Sequence, residues 1–306
     1  MKLPIVLVLM STYNGEKYLK EQIESLISQR DVKVNILIRD DGSKDRTLEI
    51  IKTFMLVFVN IKLIEGGNIG SARSFMSLVK LAEQFETKAD YYAFCDQDDV
   101  WLNNKLSVAV SKIEKYVDSP AMYCSSTKLV DKNLNHIKSV NIEIKSNLGE
   151  SMVINCAVGC TIVFNKGLLD LTNLYTPKFL LMHDGWLYRL CLVAGGEVFY
   201  DKNSYILYRQ HENNVVGGKS NFLLKWKRRF DAYYHKQSNV RYKTALELLK
   251  GYENQMSNDA KCFLLQIVNY KNSFKERKSL IFNSKFKTNS REHNFMFKLS
   301  VLLGLY

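Results

Sequence analysis

Residues 91–99 read YYAFCDQDD, an apolar run followed directly by acidic and amide side chains. The apolar part, Tyr91–Cys95, predicts a buried strand, and the residues after it place Asp96 and Asp98 at the strand's carboxyl end. Open α/β sheets hold their ligands at this end. A polar turn is the simpler alternative, but neighbouring carboxylates repel one another unless a cation offsets their charge. The stretch therefore favours a site for Mg²⁺ or Mn²⁺, hard ions that leave coordination positions for phosphates.

The same order of strand, loop and helix occurs three times before this stretch. Strands are predicted at Ile5–Met10, Val34–Ile38 and Phe58–Ile64, each followed by turn residues and by apolar side chains at helical spacing. Four such units in succession indicate an α/β fold with a doubly wound, mostly parallel sheet and right-handed crossovers. Beyond Lys105 the alternation weakens. There the pattern predicts helices near Leu106–Val117 and Asp184–Val193, and strands at Met122–Leu129, Cys156–Phe164, Glu197–Tyr200 and Tyr205–Tyr208.

Charge divides the chain at about residue 219. Residues 1–218 carry 25 Lys and Arg against 25 Asp and Glu, whereas residues 219–306 carry 18 against 6 and hold the whole net charge of +12. We therefore predict a catalytic domain at 1–218 and a basic, mainly helical C-terminal segment at 219–306. Such a segment binds either nucleic acid or an anionic membrane surface.

Aromatic residues stand beside Lys and Arg at 222–230, and the apolar run 295–303 has a flanking cation. This composition is typical of an interfacial helix on anionic lipid, and no nucleic-acid motif accompanies it. We therefore predict membrane association and no nucleic-acid partner. A helical bundle packed on the first domain is the alternative for Thr244–Val268.

Three features of the sequence indicate the cellular compartment of the protein. The six cysteines form no CxxC pair, which indicates buried free thiols in a reducing compartment. The apolar start lacks a small-residue cleavage site, so it reads as a first strand and not as a signal peptide. No apolar run reaches the roughly 18 residues of a membrane span. We expect a cytoplasmic protein, peripheral on the inner face of the plasma membrane.

Six motifs stand in order over residues 4–218 and carry a resemblance to a known family. They read STYNGEKYL, DDGSKDRTLEI, GGNIGSARSF, DQDDVWLNNKL, MHDGWLYRL and YRQHENNVVG. With them the chain resembles the family 2 glycosyltransferases of the GT-A fold. The wording of FCDQDDVW and YRQHENNVVG is similar to bacterial rhamnosyltransferases of surface polysaccharide synthesis, such as O-antigen or capsule synthesis.

The resemblance implies a donor-nucleotide site on the first three motifs. Asp41 matches the aspartate that accepts a hydrogen bond from the pyrimidine N3–H, a task that suits an acceptor-only carboxylate. Its alternative role is an Asx turn, which Asp40 could make instead. Tyr13 matches a position that packs on the base, Ser11 one beside it, and Arg73 a basic residue near the diphosphate.

The fourth motif matches the family's metal-binding aspartates. Asp98 corresponds to the direct metal ligand, and Asp96 lies nearer the ribose and the metal's water molecules. Asp99 either completes the site or caps a helix that begins near Asn103. The metal draws charge from the departing nucleoside diphosphate, which is otherwise a poor leaving group.

The last two motifs imply the catalytic base and further diphosphate contacts. Asp184 matches the base that takes the proton of the acceptor hydroxyl, and its alternative role is to cap the helix that follows. Many relatives carry tryptophan where this chain has Gly185, which alters the expected shape of the acceptor pocket. Arg209 and His211 match positions near the diphosphate or the metal.

Together these features predict an inverting, metal-dependent glycosyltransferase. The expected donor is a dTDP- or UDP-linked sugar, with rhamnose suggested by the resemblance, and the expected acceptor is a glycan or lipid-linked oligosaccharide. A nucleotidyltransferase acting on a sugar phosphate is the alternative, but it needs a glycine-rich, basic loop where Ser11–Gly15 has one glycine and no cation. A dinucleotide-dependent oxidoreductase would need G-x-G-x-x-G at the same place.

Overall fold

The computed structural model describes residues 2–84, 88–140, 146–155, 157–210 and 239–306. The described strands are β1 (Ile5–Thr12), β2 (Lys33–Asp40), β3 (Ile61–Glu65), β4 (Tyr91–Cys95), β5 (Val100–Trp101), β6 (Ala121–Val130), β7 (His136–Val140), β8 (Val163–Asn165) and β9 (Glu197–Arg209). The described helices are α1 (Leu19–Ile27), α2 (Thr47–Val57), α3 (Ser71–Glu83), α4 (Lys105–Ile113), α5 (Leu148–Val153), α6 (Lys166–Asn173), α7 (His183–Val193), α8 (Val240–Tyr252), α9 (Asn258–Asn269), α10 (Phe274–Phe282) and α11 (Arg291–Leu302). Short 3₁₀ turns lie at Gly159–Thr161, Glu253–Gln255 and Ser284–Phe286.

The strands form one sheet in the order β3-β2-β1-β4-β8-β6-β9-β5, and β7 pairs with β6 at the side. The first four strands in this order are parallel to one another, as the repeated strand–helix units predict. The second half is mixed, because β8 runs antiparallel to both β4 and β6 while β9 runs parallel to β6. The predicted α/β fold class with a doubly wound sheet is confirmed.

Strand β1 lies at the centre of the sheet and is apolar on both faces. Its side chains alternate between two cores, with Val6 and Val8 in one and Leu7 and Leu9 in the other. Helices α1 and α4 cover the first core, while α3, α6, α7 and the C-terminal helices cover the second. This double burial leaves the carboxyl edge of the parallel strands as the place where loops gather.

Four predicted strands differ from the structure by more than two residues at an end. The third begins at Ile61 and not at Phe58, because the Phe58 N–H donates to the Phe54 carbonyl at 2.9 Å and continues the end of α2. The two strands predicted at 197–200 and 205–208 are one strand, β9, in which Asp201 accepts a hydrogen bond from the Asn203 N–H at 2.9 Å. This local turn carries polar residues that read as a break in the sequence.

The predicted strand at 156–164 is mostly irregular. Residue 156 lies outside the described residues, Gly159–Thr161 form a 3₁₀ turn, and only Val163–Asn165 pair in the sheet. The Thr161 hydroxyl closes the turn by donating to the Val158 carbonyl at 2.7 Å. An apolar composition alone could not distinguish this buried turn from a strand.

The described C-terminal helices pack on the rest of the protein. Their apolar residues share one core with α7, and the Tyr306 hydroxyl donates to the Met152 carbonyl at 2.9 Å. The packed-bundle alternative therefore holds for residues 244–268. In the run 295–303, Phe297 and Val301 are buried in this core, while Phe295 is exposed.

Residues 219–230 lie outside the described part, so the interfacial helix predicted there stays a prediction. Among the described helices, none combines the length and the apolar character that crossing a bilayer requires. Four described cysteines, at positions 95, 124, 160 and 191, are free and buried as predicted. Cys262 is free but exposed, so the prediction of buried thiols is wrong there, and Cys156 lies outside the described residues.

Candidate active site

The loops after β1 and β4 are joined by a pair of hydrogen bonds. The Tyr13 N–H donates to Gln97 Oε1 at 2.8 Å, and Gln97 Nε2 donates to the Tyr13 carbonyl at 3.0 Å. A Cβ on Gly15 would lie 2.3 Å from Gln97 Oε1, so a larger residue there would displace this amide. The Tyr13 side chain is exposed at the same edge, 45% accessible. Gln97, which the sequence analysis did not assign, thus joins the predicted nucleotide loop to the acidic cluster.

Asp40 makes the turn that closes β2. Its Oδ2 accepts from the N–H groups of Gly42 at 3.1 Å and Ser43 at 2.8 Å, and its Oδ1 accepts from the Thr12 hydroxyl at 2.9 Å. This is the Asx turn for which Asp41 was the other candidate. Asp41 therefore has no part in the turn.

Asp41 instead faces the glycine-rich loop after β3. Its carboxylate accepts from the N–H of Ile69 at 3.0 Å and from that of Gly70 at 2.9 Å, and it also accepts from Arg39 Nη1. The side chain is buried, with 2% of its surface accessible. An ionised carboxylate offers about four acceptor positions, so these three donors leave room for one more.

Arg39 and Ser74 extend this network toward β1. Arg39 Nη1 also donates to Ser74 Oγ at 3.1 Å, and the Ser11 and Ser74 hydroxyl oxygens lie 2.7 Å apart. Neither Arg39 nor Ser74 was assigned from the sequence, although an arginine at the end of an apolar strand and next to two aspartates was a usable signal. Arg73, the predicted diphosphate contact, is exposed on the first turn of α3 beside Ser74.

The three aspartates of the acidic cluster after β4 differ in burial. Asp96 and Asp98 are half-buried, whereas Asp99 is fully buried. Asp99 Oδ1 accepts from the Arg209 N–H at 3.0 Å, and its Oδ2 is buried without a hydrogen-bond partner among the described residues. Helix α4 begins after Asn104 without a side-chain cap, so Asp99 does not cap it. A buried carboxylate oxygen with no partner indicates a place for a cation.

The site also fits a hard cation by its charges. Burial, followed by the charges of Asp98 and Asp184, raises the pKa of Asp96 to about 7. Burial, followed by the charges of Asp98 and Asp96, raises the pKa of Asp99 well above its usual range. Cys160 Sγ lies within 4.8 Å of oxygens of Asp96 and Asp99, but burial and these carboxylates raise its pKa, so the thiol stays protonated. The usable donors are carboxylate oxygens, the ligands that Mg²⁺ and Mn²⁺ prefer.

Arg209 anchors the acidic loop after β4 through hydrogen bonds of its guanidinium group. Its Nε donates to the Asp98 carbonyl at 2.9 Å, its Nη1 to the Lys132 carbonyl at 2.6 Å and its Nη2 to Glu21. Only 1% of the residue is accessible. Arg209 would have to give up some of these hydrogen bonds to make the predicted contact with a diphosphate. His211 lies outside the described residues, so its predicted role stays a prediction.

Asp184 lies in the first turn of α7. The N-cap of this helix is Met182, so Asp184 is inside the helix and is not its cap. Its carboxylate accepts hydrogen bonds from the N–H of Gly185 and from Asn155 and Gly159, while burial raises its pKa. Its charge helps to raise the pKa of Asp96, and the adjacent His183 packs on Phe94, two residues before Asp96.

Aromatic stacking fixes the start of α7. The ring of His183 stacks on Phe75 at 3.9 Å between centroids and meets the edge of Phe94 at 4.8 Å. Both ring nitrogens are buried without a hydrogen-bond partner in the described structure, and burial lowers the pKa of His183 to about 3. Gly159 leaves space for this ring, because a Cβ there would lie 2.9 Å from Nε2. His183 thus packs Asp184 against the strand that carries Asp96.

Gly185 accommodates a buried arginine. A Cβ on Gly185 would lie 2.6 Å from Arg189 Nη1. Arg189 Nη1 donates to the Gly185 carbonyl at 2.7 Å, and its other nitrogens donate to the Ser151 carbonyl at 3.0 and 2.6 Å. The pocket beside Asp184 is therefore shaped by a guanidinium.

Residues 7–171 match the family profile of Glycosyl transferase family 2. The chain belongs to this family. It is therefore a glycosyltransferase and not a nucleotidyltransferase, the alternative that the sequence left open. The acidic cluster, the Asp41 network and the loop with Cys160 all lie inside the matched region, whereas Asp184 lies beyond it.

Two similar proteins with named activities are also glycosyltransferases. The chain is 32% identical over 229 residues, 72% of its length and 77% of the relative, to "dTDP-rhamnosyl transferase RfbG" of Shigella flexneri. It is 25% identical, over 74% of its length and 84% of the relative, to "UDP-Glc:alpha-D-GlcNAc-diphosphoundecaprenol beta-1,3-glucosyltransferase WfgD" of Escherichia coli. The resemblance to rhamnosyltransferase-like enzymes of polysaccharide synthesis is confirmed.

Solved structures share the fold over nearly the whole chain. S. aureus TarS 1–349, crystallised with UDP-GlcNAc, superposes with a TM-score of 0.60 over 98% of this chain and 81% of that one, at 18% identity. The mannosyltransferase PcManGT from Pyrobaculum calidifontis, in complex with GDP-Man and Mn²⁺, gives a TM-score of 0.53 over 98% and 88%, at 14% identity. The predicted GT-A-type fold is confirmed.

Proposed function

We propose that this glycosyltransferase is metal-dependent and inverting, and that it transfers a sugar from a nucleoside-diphosphate donor to a hydroxyl of a glycan or lipid-linked acceptor. The pathway would be the synthesis of a bacterial cell-surface polysaccharide. The relative from Shigella flexneri is named for dTDP-rhamnosyl transfer, which favours rhamnose and a dTDP donor over a UDP donor.

One observation carries the proposal: the turn at Gly159–Thr161 lies against both Asp184 and Asp96, because a Cβ on Gly159 would lie 3.6 Å from the Asp184 Cβ and Cys160 Sγ lies within 4.8 Å of an Asp96 carboxylate oxygen. A sugar hydroxyl is a weak nucleophile and needs a base beside it, while a departing diphosphate needs positive charge. A buried carboxylate on one side and a carboxylate pair, Asp96 and Asp98, on the other supply a base and a metal site next to each other.

The donor nucleotide would lie over the ends of β1 and β2. Asp41 would accept the pyrimidine N3–H at its remaining acceptor position, and the exposed ring of Tyr13 would pack on the base. Ser11 is linked to Asp41 through Ser74 and Arg39, because its hydroxyl contacts that of Ser74, which accepts from Arg39 Nη1. Arg73, exposed on the same edge, is the cation proposed for the diphosphate.

Asp98 and Asp96 are the residues proposed to hold Mg²⁺ or Mn²⁺, with Asp99 beneath them. When bound, the ion would neutralise charge on the diphosphate and make it a better leaving group. The chain's own contribution is positional: Arg209 fixes the Asp98 backbone, and the Arg209 N–H fixes the Asp99 carboxylate.

Asp184 is the proposed general base. Burial raises its pKa, which strengthens it as a proton acceptor, while hydrogen bonds from Asn155 and Gly159 hold its direction. It would take the proton of the acceptor hydroxyl as the new carbon–oxygen bond forms at the anomeric carbon. The bond from that carbon to the diphosphate breaks at the same time, and the nucleoside diphosphate leaves with the electron pair. One displacement of this kind inverts the anomeric configuration.

The proposed location is the cytoplasmic face of the plasma membrane, with residues 219–306 as the contact segment and 1–218 as the catalytic domain. Basic residues of this segment and the exposed Phe295, Leu302 and Leu303 support contact with anionic lipid. Sedimentation with anionic liposomes at low salt tests the location, and a protein that stays in the supernatant would contradict it.

A panel of nucleoside-diphosphate sugars tests the function, measured by thermal shift with and without Mn²⁺. At equal concentrations, a donor that binds more tightly raises the unfolding temperature further, so the largest metal-dependent shift identifies the donor. Stabilisation by dTDP-rhamnose with Mn²⁺, and loss of this stabilisation in EDTA, is the expected result. An equal shift with EDTA would remove the metal from the proposal.

A further inference from the structure

A cavity of about 100 Å³ lies directly beside Asp184. Its wall consists of Asn155, the four residues 179–182, and Gly185, Trp186, Arg189, Arg241 and Thr244. Two of these residues also contact the base, because the side chain of Asn155 and the N–H of Gly185 donate to the Asp184 carboxylate. A group bound in this cavity would therefore be a close neighbour of the proposed base. The volume is large enough for several water molecules and hence for a polar ligand group.

The charges on the cavity wall favour an anion. The described lining contains two guanidinium groups, those of Arg189 and Arg241, and no carboxylate. Arg189 is buried, and its three nitrogens each donate a hydrogen bond to a backbone carbonyl, that of Ser151 or of Gly185. Burial and then the charge of Arg241 lower the pKa of Arg189 to about 9. An oxyanion beside Arg241 would offset this repulsion, and guanidinium groups bind phosphate in particular.

Half of the lining residues are apolar. They are Phe179, Leu180, Leu181, Met182 and Trp186. Leu181 is 43% exposed at the rim, where an apolar chain could continue along the surface. A site for free phosphate would not need this apolar surface. A phosphate ester of an apolar alcohol would contact both the guanidinium groups and the apolar residues of the wall.

We infer that this cavity is the acceptor subsite and that it binds the phosphate of an acceptor whose sugar is joined through phosphate to an apolar chain. The inference rests on the proposed function, since it places the acceptor hydroxyl at Asp184. It also gives the C-terminal segment a role. Arg241 and Thr244 belong to α8, so the catalytic side supplies the base while the C-terminal helices complete the acceptor site.

Binding of octyl phosphate, below its micelle concentration, tests the inference without any turnover. Calorimetry on the full chain in EDTA is expected to show octyl phosphate binding more tightly than inorganic phosphate, and octyl glucoside not binding. Arg241→Gln should weaken octyl phosphate about tenfold, the loss expected for a charge-assisted hydrogen bond. Lys250→Gln, the same charge change at an exposed position of α8, is the matched control and should bind as the wild type does.

Two further variants keep the test decisive. Leu181→Ser alters only the exposed rim, and it should weaken octyl phosphate while leaving inorganic phosphate unchanged. Asp98→Ala should keep octyl phosphate binding, because that residue belongs to the donor side. Equal binding by wild type and Arg241→Gln, or loss of binding in Asp98→Ala, would overturn the acceptor subsite. Neither outcome would affect the donor panel, which tests the proposed function separately.

Discussion

The carboxylate of Asp184, in the first turn of α7, lies close enough to that of Asp96, after β4, to help raise the pKa of Asp96 to about 7. The 3₁₀ turn at Gly159–Thr161 joins the two. A Cβ on Gly159 would lie 3.6 Å from the Asp184 Cβ, and Cys160 Sγ lies within 4.8 Å of the Asp96 carboxylate. Residues far apart in the chain thus form one cleft, and its two sides can be tested separately.

Asp184→Asn should keep donor binding and lose transfer. The amide preserves the shape of the side chain but cannot accept the hydroxyl proton, so kcat should fall about 10²- to 10⁴-fold. Donor affinity from calorimetry and turnover from product release check the two parts. Asp170→Asn, an exposed carboxylate on α6, is the control and should turn over normally. Near-normal turnover of Asp184→Asn would mean that another group is the base.

Asp98→Ala should abolish metal-dependent donor binding. The substitution removes a carboxylate ligand and leaves the hydrogen bond from Arg209 to the residue-98 backbone carbonyl, so the loop should keep its position. Mn²⁺ titration in the presence of the donor measures the effect. Asp170→Ala should bind as the wild type does, and metal-dependent binding that survives in Asp98→Ala would assign the metal to other residues.

Arg209→Lys should destabilise the protein and weaken metal binding together. Lysine keeps the charge but cannot reach the Asp98 and Lys132 carbonyls and Glu21 at once, which leaves buried acceptors unpaired at a cost of about 3 kcal/mol. Chemical denaturation and Mn²⁺ affinity measure the two effects. Arg46→Lys, at an exposed ion pair on the surface, should leave both unchanged. Intact stability with lost donor binding would instead support the predicted diphosphate contact.

His183 should make the protein sensitive to acid. Burial lowers its pKa to about 3, below the unfolded value of about 6.5, so its stabilising contribution is present above pH 6.5 and is lost as the pH falls toward 3. This difference costs about 2 kcal/mol between pH 6.5 and pH 5. His183→Gln, which does not titrate, should lose less of its free energy of unfolding over that range. Parallel losses in both proteins would place the acid sensitivity elsewhere.

The sequence predicted those parts of the fold that local patterns encode. Apolar runs such as Ile5–Met10 can only be buried on both faces, and this property places β1 at the centre of a parallel sheet. Acidic clusters at strand ends meet at one edge in such a sheet, so the ordered motifs were sufficient to assign the family. The strand predicted at 156–164 was wrong because a buried 3₁₀ turn and a buried strand have the same composition.

The roles of neighbouring residues depended on contacts between distant segments. Asp40 and Asp41 look equivalent in the sequence, and only the position of the glycine-rich loop assigns the turn to Asp40 and the network with Arg39 to Asp41. Arg209 read as a diphosphate ligand, but packing buries its guanidinium against the acidic loop. Local sequence thus determined which helices and strands form and at which edge of the sheet the functional residues lie. The tertiary structure decided which side chains face the cleft, because orientation and burial depend on neighbours that are remote in the chain.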